Sequence, residues 1–258
     1  MKTNRFCSVV GITLFLLFAL LALEATSATF SLNPGADAFV TTGPSGTLST
    51  DNFGGAGALS VAAPGLPQGE FQSILQFGLS GAKSSFDTQF GIGQWSIQSI
   101  TLQLTAAPRN NNIFNVTAAG LFAISWMQNN SWTEGTGTPA APGTTGITFS
   151  TLSNFVGSAD ELLGTFGFNG ATNGAATYTL NLTPSFSADV LAGGTVSLRM
   201  FAADSVVSDL SDSRNFTSAL ARPLLTVTAI PEPGALALAG FGLCLLAGRR
   251  LASRRNPQ

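Results

Sequence analysis

Eleven carboxylates and five basic side chains lie between residues 29 and 230, giving that stretch a net charge of −6. The whole chain contains no histidine, and its two cysteines, Cys7 and Cys244, lie near the ends. These residue types restrict the chemistry. Without histidine there is no imidazole base and no imidazole metal ligand. Without cysteine the middle has no thiolate nucleophile, no disulfide and no cysteine–zinc site. No Ser-His-Asp, Cys-His or phosphate-cradling glycine motif is present. Paired carboxylates could still hydrolyse a glycosidic bond if two of them faced each other across about 5 to 9 Å. The acids are scattered along the chain, so the sequence does not pair them. The densest run is ADSVVSDLSDSRNF, with Asp204, Asp209 and Asp212. A solvated loop, with Arg214 neutralising a surface carboxylate, is the simpler reading. A Ca²⁺ site built from these oxygens is the other, although the spacing is not that of an EF-hand.

Large rings with a polar handle are the second resource, because sugar recognition needs aromatic platforms beside fixed polar groups. Only Trp95, Trp126, Trp132 and Tyr178 qualify. Trp126 and Trp132 are the candidate ligand-binding residues. Trp132 sits in NNSWTEGTG, a polar, turn-rich stretch followed by the irregular GTPAAPGTTG. The alternative is structural, with Trp132 plugging one end of a core while Glu134 satisfies backbone donors.

These residues need a scaffold, and its period is 2. Leu75, Phe77 and Leu79 alternate with polar or small neighbours, as do Ile100, Leu102 and Leu104. So do Tyr178, Leu180 and Leu182, then Val196, Leu198 and Met200, then Leu225 and Val227. Such runs predict strands with one wet face. Clusters such as PRNNN (108–112) and NGATNGAA (169–176) separate them as turns. The expected fold is an all-β antiparallel sandwich. One short helix is expected within TPSFSADVLAGG (183–194), capped by Thr183, started by Pro184 and stopped by Gly193.

The two ends read differently. Lys2 and Arg5 precede an apolar run from Phe6 to Leu23, and Thr26-Ser27-Ala28 supplies small residues for cleavage. Residues 1–28 therefore read as a secretory signal peptide, which signal peptidase would remove. An uncleaved anchor is the alternative, since the run approaches a membrane span in length. At the other end, Pro231-Glu232-Pro233 precedes the apolar run Gly234–Gly248, then Arg249, Arg250, Arg254 and Arg255. As a helix that run would reach about 22 Å, short of a ~30 Å hydrocarbon core. The arginines favour the cytoplasmic side, and so does the basic N-terminus, which places the middle outside the cytoplasm. Three parts follow: a signal segment (1–28), a β-sandwich domain (29–230) and a hydrophobic tail (231–258). An acidic middle with no basic cluster argues against nucleic acid.

The Pro-Glu-Pro, apolar run and terminal arginines resemble the PEP-CTERM sorting signal of Gram-negative bacteria. That resemblance implies that exosortase, a membrane peptidase, recognises the tail through Pro231, Glu232, Pro233, Arg249 and Arg250. It implies cleavage near Pro-Glu-Pro and a role outside the cell among extracellular polysaccharide. A permanent single-span anchor is the alternative. A second set of landmarks is GADAFVTT, NFGGAGALSVAA, SILQFGLSG, WTEGTGTP, YTLNLTPSFSADVLAGGTVSLRMFA and NFTSALARPLLTVT. Their order is similar to the DNRLRE-type domain of secreted bacterial proteins. This resemblance implies a jelly-roll sandwich related to carbohydrate-binding modules. It departs at Ala219, where the family pattern tends to be acidic, and the name-giving motif is absent.

The expectation from sequence is an exported, non-catalytic protein, structural or adhesive in an exopolysaccharide matrix. It would be membrane-associated through its C-terminal helix until processing. A carbohydrate-binding module is the first alternative and a polysaccharide-acting enzyme the second. No cofactor is expected beyond the Ca²⁺ considered above.

Overall fold

The structure, a computed structural model, describes residues 26–108 and 112–232. The expected signal helix, the C-terminal hydrophobic helix and the arginines after it lie outside the described residues. The described strands are β1 (Ala28–Leu32), β2 (Ala36–Thr41), β3 (Ala58–Ala62), β4 (Phe71–Gly78), β5 (Trp95–Thr105) and β6 (Gly120–Met127). They continue with β7 (Glu161–Phe168), β8 (Ala175–Leu180), β9 (Thr195–Ala202), β10 (Ser208–Asp212) and β11 (Leu224–Pro231). They form two sheets. One has the order β1-β11-β5-β8, the other β10-β3-β4-β9-β6-β7 with β2 paired to β4. The pairs β2/β4, β4/β9, β6/β9, β6/β7, β3/β10 and β5/β8 are antiparallel. This is the architecture of an all-β sandwich, as the alternation predicts.

The alternating residues go where their period sends them. Leu75, Phe77, Leu79, Ile100, Leu102, Val196, Leu198, Leu225 and Val227 are all fully buried. Leu182 does not follow: β8 stops at Leu180, and Leu182 is exposed. The expected wet face is also missing from β2 and β4, which are buried on both sides. Two different cores explain this. Phe39 packs with Phe53, Phe71, Phe114 and Leu210. Its neighbours Ala38 and Val40 pack instead with Ile74, Met127, Trp132, Ile147 and Leu152. The long connection after β6 thus folds back over the outer face of the larger sheet.

Three α-helices, not one, occur among the described residues: α1 (Ser80–Phe90), α2 (Phe149–Leu152) and α3 (Pro184–Ala192). The expected helix is α3, with Pro184 in its first turn and Gly193 closing it in the left-handed conformation. Its N-terminus differs from expectation. Thr183 makes no side-chain cap. The Glu161 carboxylate at the start of β7 accepts the N–H groups of Ser185 and Phe186 instead. A carboxylate there answers both the unpaired N–H groups and the helix dipole. The short α2 carries a capping box between Thr148 and Thr151.

The chain divides into two compact units. The larger comprises 29–85 and 97–228, and it contains both Phe-rich and Trp132-centred cores. Of the described residues, the smaller holds 26–28, 86–96 and 229–232. Within it, Phe86 packs against Phe90 and Trp95, and Trp95 Nε1 donates to Asp87 Oδ1 at 2.9 Å.

Candidate functional site

Two polar clusters, each with a buried aspartate, emerge in the larger unit, and they differ in kind. The first gathers around NNSWTEGTG. Trp132 is buried in the core described above, and its Nε1 donates to Ser197 Oγ at 2.9 Å. Two residues on, Glu134 receives Arg214 through Nε (2.8 and 3.1 Å) and a terminal guanidinium nitrogen (2.6 Å). The Glu134 side chain is 13% exposed, so Arg214 neutralises a largely enclosed carboxylate rather than a surface one. Asn215 Nδ2 adds a bond to Glu134 Oε1 at 2.9 Å. Asp37 approaches from β2, and its Oδ2 accepts the Arg214 backbone N–H at 2.7 Å. The other oxygen, Asp37 Oδ1, has no hydrogen-bond partner.

Glu134 Oε1 does accept a backbone N–H, that of Asp37 at 3.4 Å, but most backbone groups of this notch are served by Asn52. Asn52 is fully buried. Its Nδ2 donates to the carbonyls of Glu134 (2.7 Å) and Ile147 (2.8 Å). Its Oδ1 accepts from the N–H groups of Gly54 and Gly137, both at 3.2 Å. Every valence of the amide is therefore used. The glycines of WTEGTG make this approach possible. Gly135 has φ +77°, and a Cβ there would lie 2.2 Å from Asn52 Oδ1; one on Gly137 would lie 1.8 Å from the Asn52 carbonyl oxygen.

Asp37 is pushed up to about 7 by burial and by the charge of Glu134, against the pull of the Arg214 N–H and guanidinium. A carboxyl held up beside an ionised partner is the pattern of an acid–base pair. Here, however, Asp37 is fully buried and Glu134 is held by a guanidinium and an amide. The cluster cross-links β2, the 132–137 stretch and residues 214–215, with Asp37 fully enclosed.

The second cluster lies between the sheets. A cavity of about 210 Å³ is lined by Leu104 and Tyr178 from one sheet, Asp209 and Ser211 of β10 from the other, and Asn169 and Asn173 from the β7–β8 loop. The last residue of that turn, Gly174, hands the chain on through its carbonyl to the Ala106 N–H at 2.9 Å. β10 pairs on one side with β3 and on the other bonds residues 106–107 and 118. Its side chains alternate. Leu210 joins the phenylalanine core, whereas Asp209 and Ser211 face the cavity.

Asp209 is 4% exposed and Ser211 2% exposed, yet Asp209 Oδ1 and Ser211 Oγ have no hydrogen-bond partner. Burial raises Asp209 to about 7, opposed only by the Leu210 N–H. Tyr178 is raised to about 12 by its own burial and by the Asp209 charge. Its ring packs edge-on to Phe122 across the sheets at 5.1 Å and against Phe166 at 5.3 Å. Among the described residues no lysine or arginine lines the cavity.

The three aspartates considered for Ca²⁺ do not converge. Asp204 closes its own loop, accepting the N–H groups of Val206 and Val207 at 2.9 and 2.8 Å, and that of Leu121. Asp209 and Asp212 are three apart on one strand and so point to opposite faces. Burial raises Asp212 to about 6. Among the described residues no three His, Cys, Asp or Glu side chains gather as a metal site. ADSVVSDLSDSRNF is also not a solvated loop throughout, since Ser208–Asp212 is a buried strand.

Trp126 and Trp132 are both enclosed. Trp126 Nε1 donates to Asp189 Oδ2 at 3.1 Å, so neither ring forms an open platform. Of the residues expected from the sequence to act in sorting, Pro231 ends β11, and the Glu232 N–H bonds the Gln94 carbonyl at 2.9 Å. Pro233, Arg249 and Arg250 lie outside the described residues. No helix among the described residues is long and apolar enough to cross a membrane. No protein-family model and no curated protein matches this chain.

Proposed function

We propose that this is an exported, non-catalytic protein of the cell envelope or extracellular matrix, sorted by a PEP-CTERM-like tail. The observation that carries this reading is the pairing of a signal-like N-terminus with a C-terminal Pro-Glu-Pro, apolar run and arginine block. The β-sandwich between them is the kind of scaffold such proteins display, and the order of its landmarks favours a jelly-roll of the DNRLRE type. Signal peptidase and exosortase are its partners during export, the membrane holds it through the C-terminal helix before processing, and extracellular polysaccharide is its surrounding. Its acids, as placed, favour structure over hydrolysis. Mass spectrometry of the exported protein tests the reading. A mature chain beginning near residue 29 and ending near Pro231–Pro233 is the expected result. A mature form retaining Cys244 would replace the sorted protein with a permanently anchored one.

A second reading, a carbohydrate-binding module, is favoured by one observation: the cavity between the sheets with Asp209 and Ser211 unpaired at its base. Enclosure of Trp126 and Trp132 weighs against the platform-type version of that reading. Co-sedimentation with the exopolysaccharide of the producing cell tests it.

A further inference from the structure

Buried polar atoms are nearly always paired, and those that are not ask for an explanation. Asp209 Oδ1 and Ser211 Oγ sit two residues apart on the same face of β10, both enclosed and both without a donor. They share a cavity with Asn169 and Asn173, whose side-chain amides come from a loop that carries exposed residues. Asn169 Oδ1 is already taken by the Ala171 N–H at 2.9 Å. The cavity holds about seven water volumes, which suits a compact ligand or one monomer of a chain. Among the described residues its lining offers the Asp209 carboxyl, the Ser211 hydroxyl and the Tyr178 ring, with no lysine or arginine.

The Ser211 hydroxyl can give or take a hydrogen bond, and so can Asp209 while it holds its proton, but only a cation matches the carboxylate once it is ionised. An ammonium has three donors, no acceptor, and the charge that Asp209 lacks a partner for. We propose that this cavity binds a compact ligand carrying a protonated primary amine, with the ammonium seated between Asp209 Oδ1 and Ser211 Oγ. Such a charge-assisted bond is roughly twice as strong as a neutral one. Asn173 holds the ligand's outer polar groups. The inference rests on the binding-module reading in that the same cavity is the site, and it is independent of how the tail is processed.

Calorimetric titration of the full-length chain in detergent at neutral pH tests it with three probes of one skeleton: glucosamine, glucose and N-acetylglucosamine. Glucosamine should bind about tenfold or more tightly than the other two, which lack the charge. Asp209→Asn should abolish that preference. Asn173→Ala, in the exposed loop, should weaken glucosamine binding several-fold while leaving the melting curve in place. Equal binding of glucose and glucosamine would overturn the ammonium assignment and leave the binding-module reading standing. Absence of heat with all three probes at millimolar concentration would overturn both. Unchanged glucosamine binding by a folded Asp209→Asn would show that Asp209 is not the seat, which also overturns the proposal.

Discussion

Asp37 and Asp209 make a natural pair for comparison. Each is a buried aspartate on a strand of the larger sheet, each has one carboxyl oxygen without a partner, and burial raises each to about 7. Around Asp37 the fold supplies answers: the Arg214 N–H on its other oxygen, a guanidinium on Glu134, and Asn52 stitching three segments of backbone. Around Asp209 it supplies a cavity and two hydroxyl-bearing neighbours, Ser211 and Tyr178. The difference teaches where the chain places its polar pairing. One site is nearly saturated and closed, which serves stability; the other is left open at a cost in stability, which is how binding sites are commonly built.

Asn52 is the keystone of the closed site. Its four bonds all go to backbone groups, so Asn52→Ala strands several buried donors and acceptors at once. Urea unfolding should show a loss of about 3 to 5 kcal/mol. A loss under about 1 kcal/mol would mean that water replaces the amide and that the notch is not closed.

Asp209→Asn should act in the opposite direction. The folded state holds the Asp209 proton at about 7, against the ordinary 3.8. Protonation therefore favours the folded state, fully below about pH 4, and this contribution is lost as pH rises to about 7. The amide removes the need to ionise a buried group. Asp209→Asn should thus gain roughly 2 to 4 kcal/mol at about pH 8 and nothing at about pH 4. A destabilised variant at the higher pH would reveal a partner for the carboxylate and erase the contrast.

Glu134→Gln is a gentler cut into the closed site. It keeps the shape and removes the charge that Arg214 meets. Because the Arg214 side chain is 34% exposed and can turn to water, the cost should be about 1 to 2 kcal/mol. Raising salt should shrink the difference from the parent protein if charge is its source.

Asp204→Ala provides the smallest effect and the opposite pH sense. Burial alone would raise Asp204, but the N–H groups of Val206, Val207 and Leu121 bring it below the usual carboxylate range. Its stabilisation is therefore present above the unfolded-state value and fades as pH falls through the folded one. The variant should lose about 1 kcal/mol or less near neutrality, with the difference narrowing in acid. Opposite slopes for Asp204 and Asp209 in the same pH series would separate a satisfied loop carboxylate from an unsatisfied strand carboxylate.

Much of the sandwich is legible because a period of 2 needs only local information. The alternation of Ile100, Leu102 and Leu104 survives any tertiary context that keeps one face inside. Legibility fails where burial is two-sided, as in β2 and β4, because the outer face is covered by residues 132–152, distant in sequence. It fails in β10 for the reverse reason. Ser-Asp-Leu-Ser-Asp carries one apolar residue, so a strand whose inner face lines a polar cavity reads as a loop. Helix α1 escapes a sequence reading because Ala82 and Phe86 are its buried anchors among mostly polar or small residues. Trp132 as a core plug is readable from its setting. Asn52 is not, since three of its four partners lie 82 to 95 residues away and the fourth, the Gly54 N–H, is what any turn asparagine can take.

β11 runs to Pro231, and the next N–H is already bonded to Gln94. The folded body therefore offers no leash before the Pro-Glu-Pro. Under the sorting proposal, a peptidase working at 231–233 must dock flush against a finished strand or catch the chain before β11 zips into place. Cutting would then be timed by folding, and a mutant slow to close β11 would be trimmed sooner than the parent.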